Sequence, residues 1–474
     1  IALAIALPLA QASAEAVIAG FSGSAQDGPP HWMDFSLDAR MVAIAAGAAL
    51  LTALCSGLIP ALHAGSRRDL GLRGSAQGSG GFARLSQWLM VGQVAFSLAV
   101  LMATALLVQA VRQLDDFDLG LDTGQVLTAR IGLMPERFAD PALVRQQVAA
   151  LLEAVRATPG VVSATASSSL PGLIGSNEDV LEFGTAKPDS GFRDVGYSAV
   201  DPTFFSTMRA DLLAGRPFNA ADDDTTERVM VVDQTFVERF LDGGQAIGRR
   251  FVLDPEGSTE RVATIIGVVR PVQMDDIDDP REASVFVPFA QSPQRFLSLL
   301  VRVEGEPMAL AQPLAEVAHR LDPDSPLYWV RSYEDVLREA TIGQHLLARL
   351  FGGFGLVALV LAASGLYGVV AFNVGRRTRE IGVRRALGAA NGRLLSGLLR
   401  HTLARIALGV LAGMLLGIPF ATQLSGMLGN TGLGATGMSW EIWLPAVLTL
   451  SLASLLACWL PAQRALRIEP TVAL

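Results

Sequence analysis

Three groups of residues in this chain have types that chemistry uses. Two acidic runs, Asp222-Asp223-Asp224 and Asp275-Asp276-Ile277-Asp278-Asp279, offer the oxygen ligands that calcium takes. Neither has the D-x-[DN]-x-[DN]-G frame, so both read as solvated loop tips. The histidines, His31, His63, His319, His345 and His401, are scattered with no H-x-x-x-H pair, which suits surface and membrane-end positions better than zinc ligation. The run "SSSLPG" (167–172) has hydroxyls but no G-x-S-x-G elbow, so a hydrolase triad is unsupported. A P-loop needs a lysine that reaches phosphate inside a glycine frame. The sole lysine, Lys187, precedes a proline and has no such frame, which excludes a Walker-type ATPase within these residues. No catalytic residue, metal ligand or directly bound cofactor is expected.

The elements that would carry any function are apolar. The 474 residues are 51% hydrophobic, too much for an ordinary soluble protein of this length. The net charge of −8 hides a division: residues 111–340 hold 21 Lys+Arg against 37 Asp+Glu, which leaves 16 against 8 elsewhere. Crossing a bilayer takes about 20 apolar helical residues. Stretches at 41–60, 88–110, 350–374, 406–427 and 442–460 meet that need without an internal charge, and residues 1–18 read as a partial sixth span interrupted only by Glu15 near its end. Cys55 and Cys458 both sit inside apolar runs, so neither a disulfide framework nor a zinc site is implied.

Arginine placement orients the spans. Arg67, Arg68, Arg73 and Arg84 follow the first complete span, seven arginines and Glu380 occupy 375–400, and Arg464 and Arg467 lie in the tail. These segments belong on the cytoplasmic side. The acidic 111–340 segment and the loop "GNTGLGATGMSW" then fall outside the cell.

The outer segment has soluble patterning. "QVLTARIGL" (125–133) alternates as a strand, "PALVRQQVAALLEAVRATPG" reads as an amphipathic helix stopped by Gly160, and "VVSATASSS" is again strand-like. Further strands are predicted at 228–233, 261–269, 284–289 and 298–305, with helices at 233–241 and 308–321. An α+β domain in two lobes is the expectation.

The chain also repeats itself. "GLIPALHA" (57–64) matches "CWLPAQRA" (458–465), and "ALPLA" (6–10) matches "GIPFA" (417–421). Residues 1–65 therefore read as the last two spans of an earlier copy, and a longer chain with a second outer domain upstream is expected.

Two membrane features remain. Gly409, Gly413 and Gly417 fall on one helix face, where small residues let a neighbouring helix approach. The segment "RRTREIGVRRALGAANGRLL" (376–395), read as a helix from Thr378, stacks Val383, Leu387, Ala390 and Leu394 on one face between Arg384 and Arg393. Spacing leaves two readings open: a positive anchor on the bilayer surface, or arginine forks aimed at carboxylates of another protein.

Together "RTREIGVRRALGA" (377–389), the Gly-rich span after it and the terminal "PAQRALRIEPTVAL" resemble the permease domain of FtsX-like and MacB-like ABC transporters. In the outer segment, "LLAGRPFNAADD", "IGRRFVL", "ATIIGVV" and "SVFVPFAQ" resemble that family's periplasmic core domain. With the internal repeat, the resemblance points to the duplicated orphan permease subgroup. It implies an α-helical membrane protein of type VII ABC architecture with an inserted α+β extracytoplasmic domain. The implied layout is 1–65 as the end of a first permease unit, 66–87 as a cytoplasmic linker and 88–110 as the first span of the second unit. Residues 111–340 form the periplasmic core domain, and 341–474 the FtsX-like domain with three spans.

The resemblance further implies a coupling loop at Arg379, Glu380, Ile381, Gly382, Arg384, Arg385, Leu387 and Gly388. A cytosolic ABC ATPase would push on it, so ATP would enter through a partner. The bilayer and a periplasmic molecule are the other expected partners, with no nucleic acid. The implied site of action is the bacterial inner membrane, where ATPase motion is relayed to the outer domain to export an envelope substrate. Two alternatives stay open: a mechanotransmitting regulator of an envelope enzyme, and a receptor or scaffold without an ATPase.

Overall fold

The computed structural model describes residues 38–65, 80–185, 193–255, 261–274, 282–376, 391–427 and 440–466, with four isolated positions among the first fifteen. The described residues divide into two compact units, one of which lies within Gln113–Ile342 and the other on either side of it in the chain.

The second of these is helical. Its elements are α1 (Ala39–Gly65), α2 (Gly80–Asp115), α8 (Ile342–Arg376), α9 (Asn391–Met427) and α10 (Trp440–Leu466). Stretches within α2, α8 and α9 are long and apolar enough to cross a membrane, at Gln87–Asp115, Ile342–Phe372 and Thr402–Gln423. The other two predicted spans lie in α1 and α10, whose qualifying apolar stretches among the described residues are shorter, Ala39–Leu51 and Trp443–Trp459. Met90, Val94, Leu98 and Met102 of α2 are buried with Ala362, Leu366 and Val370 of α8, Ile406 of α9 and Leu450 of α10 in one cluster. Apolar side chains such as Leu415, Leu448 and Leu452 are exposed instead, as a lipid-facing surface requires.

The α+β unit is built on one eleven-stranded sheet with the path β11-β1-β10-β2-β4-β3-β7-β8-β6-β9 and β5 paired to β8. Its strands are β1 (Val126–Gly132), β2 (Val161–Ser167), β3 (Asn177–Glu182), β4 (Arg193–Val200), β5 (Leu212–Gly215), β6 (Val229–Asp233), β7 (Arg250–Leu253), β8 (Arg261–Val269), β9 (Ser284–Pro288), β10 (Phe296–Val303) and β11 (Tyr328–Ser332). The helices are α3 (Pro141–Arg156), α4 (Phe204–Thr207), α5 (Gln234–Leu241), α6 (Ala311–Leu321) and α7 (Tyr333–Ala340).

Two subfolds share that sheet. Strands β11-β1-β10-β2 are antiparallel, and the order β1-α3-β2 and β10-α6-β11 is the split βαβ arrangement of ferredoxin-like folds. Between β2 and β10 the chain inserts the rest. Strand β9 pairs with both β6 and β4, which closes β4-β3-β7-β8-β6-β9 into a six-stranded barrel. A single ladder pair, Ser167 with Val200, joins the two. The two lobes expected from sequence are thus parts of one compact unit with a continuous sheet.

Local sequence explains the elements. Asp140 caps α3 by accepting from the Ala142 amide, Pro141 fits the first turn, and Gly160 turns the chain at φ +89° into β2. Val144, Val148, Leu151, Leu152 and Val155 give α3 the face it buries. Strands β6 and β9 are buried at every residue because both sheet faces are covered. Met230 and Val232 join the barrel-side cluster, whereas Val231 packs with Phe204, Phe205 and Phe286 on the other face.

Candidate functional site

Among the described residues, the acidic run 222–224 and the serines of 167–169 serve structure. Asp222 accepts two hydrogen bonds from Arg216, at 2.7 and 2.8 Å, and one from the Asn219 amide, which hold its carboxyl below the usual range. Asp223 accepts from Thr225, and Asp224 pairs with Arg145 at 2.6 Å. The run 275–279 lies outside the described residues. Ser167, Ser169 and Ser198 form a buried hydroxyl cluster at 2.7 to 3.3 Å beside the β2–β4 pair, each satisfying another. Among the described residues no three His, Cys, Asp or Glu side chains converge as a metal site would need.

Among the described residues, Asp233 is the most perturbed carboxyl of the α+β unit. It ends β6 and caps α5, its Oδ1 accepting from the Phe236 amide at 2.8 Å and the Ser284 amide at 3.1 Å. Its Oδ2 is buried without a hydrogen bond. Burial outweighs those donors and pushes the carboxyl up to about 6.

The distinctive geometry lies where chain enters and leaves this unit. Leu119, just beyond α2, and Leu337, within α7 shortly before α8, both bear on Gly172. A Cβ there would stand 2.7 Å from Leu119 Cδ2 and 3.1 Å from Leu337 Cδ2, and φ is +78°. Only glycine meets both demands. The same turn accepts from Tyr333, whose hydroxyl donates to the Pro171 carbonyl at 2.7 Å. Gln273 donates its amide to the Leu119 carbonyl at 3.1 Å. Arg302 of β10, buried, completes the grip by donating to the carbonyls of Asp122, Gly124 and Thr207 at 2.6 to 2.8 Å.

Within the helical unit α2 packs against two neighbours, and its interhelical hydrogen bonds go to one of them. Gln93 Nε2 donates to the Leu361 carbonyl at 2.6 Å, Ser97 Oγ to that of Ala358 at 3.2 Å, and Thr104 Oγ1 lies 2.8 Å from that of Phe351. These acceptors are all on α8, and α8 makes room with glycines: a Cβ on Gly355 would stand 2.9 Å from Thr104 Oγ1, and one on Gly365 would collide with the Gln93 amide. Interhelical bonds of this type contribute about 0.6 to 2 kcal/mol each. Gly409, Gly413 and Gly417 of α9 lie against α2. Their Cβ atoms would fall 2.8 Å from Val94 Cβ, 2.8 Å from Leu98 Cβ and 2.7 Å from Met102 Sδ.

The predicted coupling residues Arg379, Glu380, Ile381, Gly382, Arg384, Arg385, Leu387 and Gly388 lie outside the described residues. Gln93, Ser97 and Thr104 carry no charge, so a search for charged residues in the spans passes over them. Their spacing of four and seven is the signal that places them on one helix face.

Three helices long and apolar enough to cross a membrane bracket an α+β domain along the chain, the layout of a membrane permease. The chain matches the MacB-like periplasmic core domain over residues 88–316 and the FtsX-like permease C-terminal domain over 352–470. It belongs to the FtsX-like and MacB-like permeases of ABC transporters. It is 22% identical over 290 residues to the uncharacterized ABC transporter permease YknZ of Bacillus subtilis, covering 59% of this chain and 70% of that one. It is 25% identical over 333 residues to the macrolide export ATP-binding/permease protein MacB of Azoarcus sp., covering 67% of this chain and 48% of that one. The chain thus spans about half the length of the MacB relatives it matches. The solved periplasmic region of MacB from Actinobacillus actinomycetemcomitans aligns over 47% of this chain and 95% of that one, at 14% identity and a TM-score of 0.33.

Proposed function

We propose that this chain is a membrane permease subunit that relays the motion of a cytosolic ABC ATPase to its α+β domain, which acts outside the plasma membrane on an envelope substrate. Residues 376–400 are the coupling segment on which the ATPase pushes. ATP is used by that partner, not by this chain. The observation that carries the reading is the shared seat of Leu119 and Leu337 on Gly172. Helix motion entering through either connector meets the same turn, so the domain receives it as one displacement.

The domain layout belongs to the same reading: residues 111–340 are the working outer domain, and 1–65 derive from an earlier permease unit. The five uncharged predicted spans support transmission over ion or proton conduction, since ionisable groups inside spans mark such paths. The test is the ATPase rate of the subunit that co-purifies with the chain, reconstituted in proteoliposomes. Replacing Arg379, Glu380 and Arg384 together with alanine should abolish stimulation of that ATPase and leave membrane insertion intact. Unchanged stimulation would refute the coupling role.

A further inference from the structure

We infer that α2 and α8 move as one hydrogen-bonded lever, and that the glycine face of α9 is the surface along which this lever shifts. The inference rests on the relay proposed above and says which helix contact is fixed and which yields.

The two contacts of α2 differ in kind. Toward α8, Gln93, Ser97 and Thr104 reach three separate carbonyls, Leu361, Ala358 and Phe351. The acceptors descend along α8 as the donors ascend along α2, so the bonds form an antiparallel ladder over about two to three turns. Axial slip between these helices would break all three bonds together. In a bilayer no water replaces them: Thr104 keeps the Val100 carbonyl of its own helix, 2.9 Å from its Oγ1, but the Gln93 amide and Ser97 hydroxyl would be left in an apolar medium. Gly365 and Gly355 open the groove that the donors enter, so the ladder is built from both helices.

Toward α9 the contact has no such teeth at its centre. Gly409, Gly413 and Gly417 present bare backbone to Val94, Leu98 and Met102. A groove floored by glycine offers no side-chain ridge for those apolar groups to climb, and dispersion contacts reform after a small shift. Met102, whose sulfur stands over Gly417, is the side chain best able to adapt its shape. The fixed pair is also the pair whose chain leads into and out of the α+β unit, since α2 ends at Asp115 and α8 begins at Ile342. A lever made of these two helices delivers one displacement to both connectors.

The test uses the full chain in lipid nanodiscs, without ATPase or nucleotide, so that its outcome is independent of whether an ATP relay exists. Nitroxide-bearing amino acids are placed at exposed positions, Phe96 with Val360 for α2–α8 and Phe96 with Leu415 for α2–α9, and electron–electron distance distributions are recorded. The α2–α8 distribution should be single and at least twofold narrower than the α2–α9 distribution. The combined variant Gln93→Leu, Ser97→Ala and Thr104→Val should broaden α2–α8 to the width of α2–α9. Equal widths in the unmodified chain, or a narrower α2–α9 distribution, would overturn the inference, and this comparison stands even if the variant does not insert. An unchanged α2–α8 width in an inserted variant would overturn it too.

Discussion

The hydroxyl of Tyr333 donates to the carbonyl oxygen of Pro171 at 2.7 Å, which fastens the start of α7 to the turn that Gly172 occupies. Leu119 reaches the same turn from the end of α2. Two connectors far apart in sequence therefore meet on a residue with no side chain.

Gly172→Ala should be destabilising for two reasons that act together. Alanine at φ +78° is strained by about 1 to 3 kcal/mol, and its methyl would displace Leu119 and Leu337. Tyr333→Phe should cost about 1 to 2 kcal/mol by stranding the Pro171 carbonyl in a buried site. Thermal unfolding of the full chain in detergent, read by near-ultraviolet circular dichroism, should show lower midpoints for both.

Asp233 predicts a pH dependence of defined sign. Burial raises its folded pKa from 3.8 to about 6, so the folded state holds the proton more tightly than the unfolded chain does. Its contribution to stability is fullest below about pH 4 and is lost as pH rises toward 6, amounting to about 3 kcal/mol. Asp233→Asn keeps an oxygen for the Phe236 and Ser284 amides and removes the titration. Denaturant midpoints at pH 4.5 and 7.5 should differ less in this variant than in the native chain.

The glycines of the spans should fall into two classes. Gly413→Leu places a side chain where Leu98 Cβ would stand 2.8 Å and the Ala95 carbonyl 2.9 Å from its Cβ, so it should force α2 and α9 apart. Gly352 has open space where a Cβ would go, and Gly352→Ala should be neutral or stabilise α8 by about 0.5 to 1 kcal/mol. Unfolding in mixed micelles would separate the two, and equal effects would contradict the packing of α2 on α9.

Much of this architecture is legible in the sequence, for reasons that differ by element. Strands β6 and β9 stand out because their apolar runs are covered on both faces, and β8 and β10 because they are long and rich in Val, Ile and Leu. Strand β3 reads "NEDVLE" and carries no hydrophobic signal, while β5 is only the four residues "LLAG", too short for an alternating pattern; pairing with β4 and β7, and with β8, makes them strands. The glycine stripe of α9 is plain from its spacing, whereas its partner α2 is not, because the contact is made across some three hundred residues. Gly172 is legible only as part of a Pro-Gly turn. Its importance comes from Leu119 and Leu337, which no local pattern brings together.

The most direct test of the account is whether nucleotide moves the outer domain through this chain. Spin labels at exposed Val162 of β2 and exposed Leu415 of α9 report the α+β unit against the helical unit. With the co-purified ATPase present in proteoliposomes, ATP should shift that distance in the native chain and leave it unchanged when Arg379, Glu380 and Arg384 are replaced by alanine. A shift that persists in the triple variant, or no shift in the native chain while the ATPase turns over, would contradict the relay.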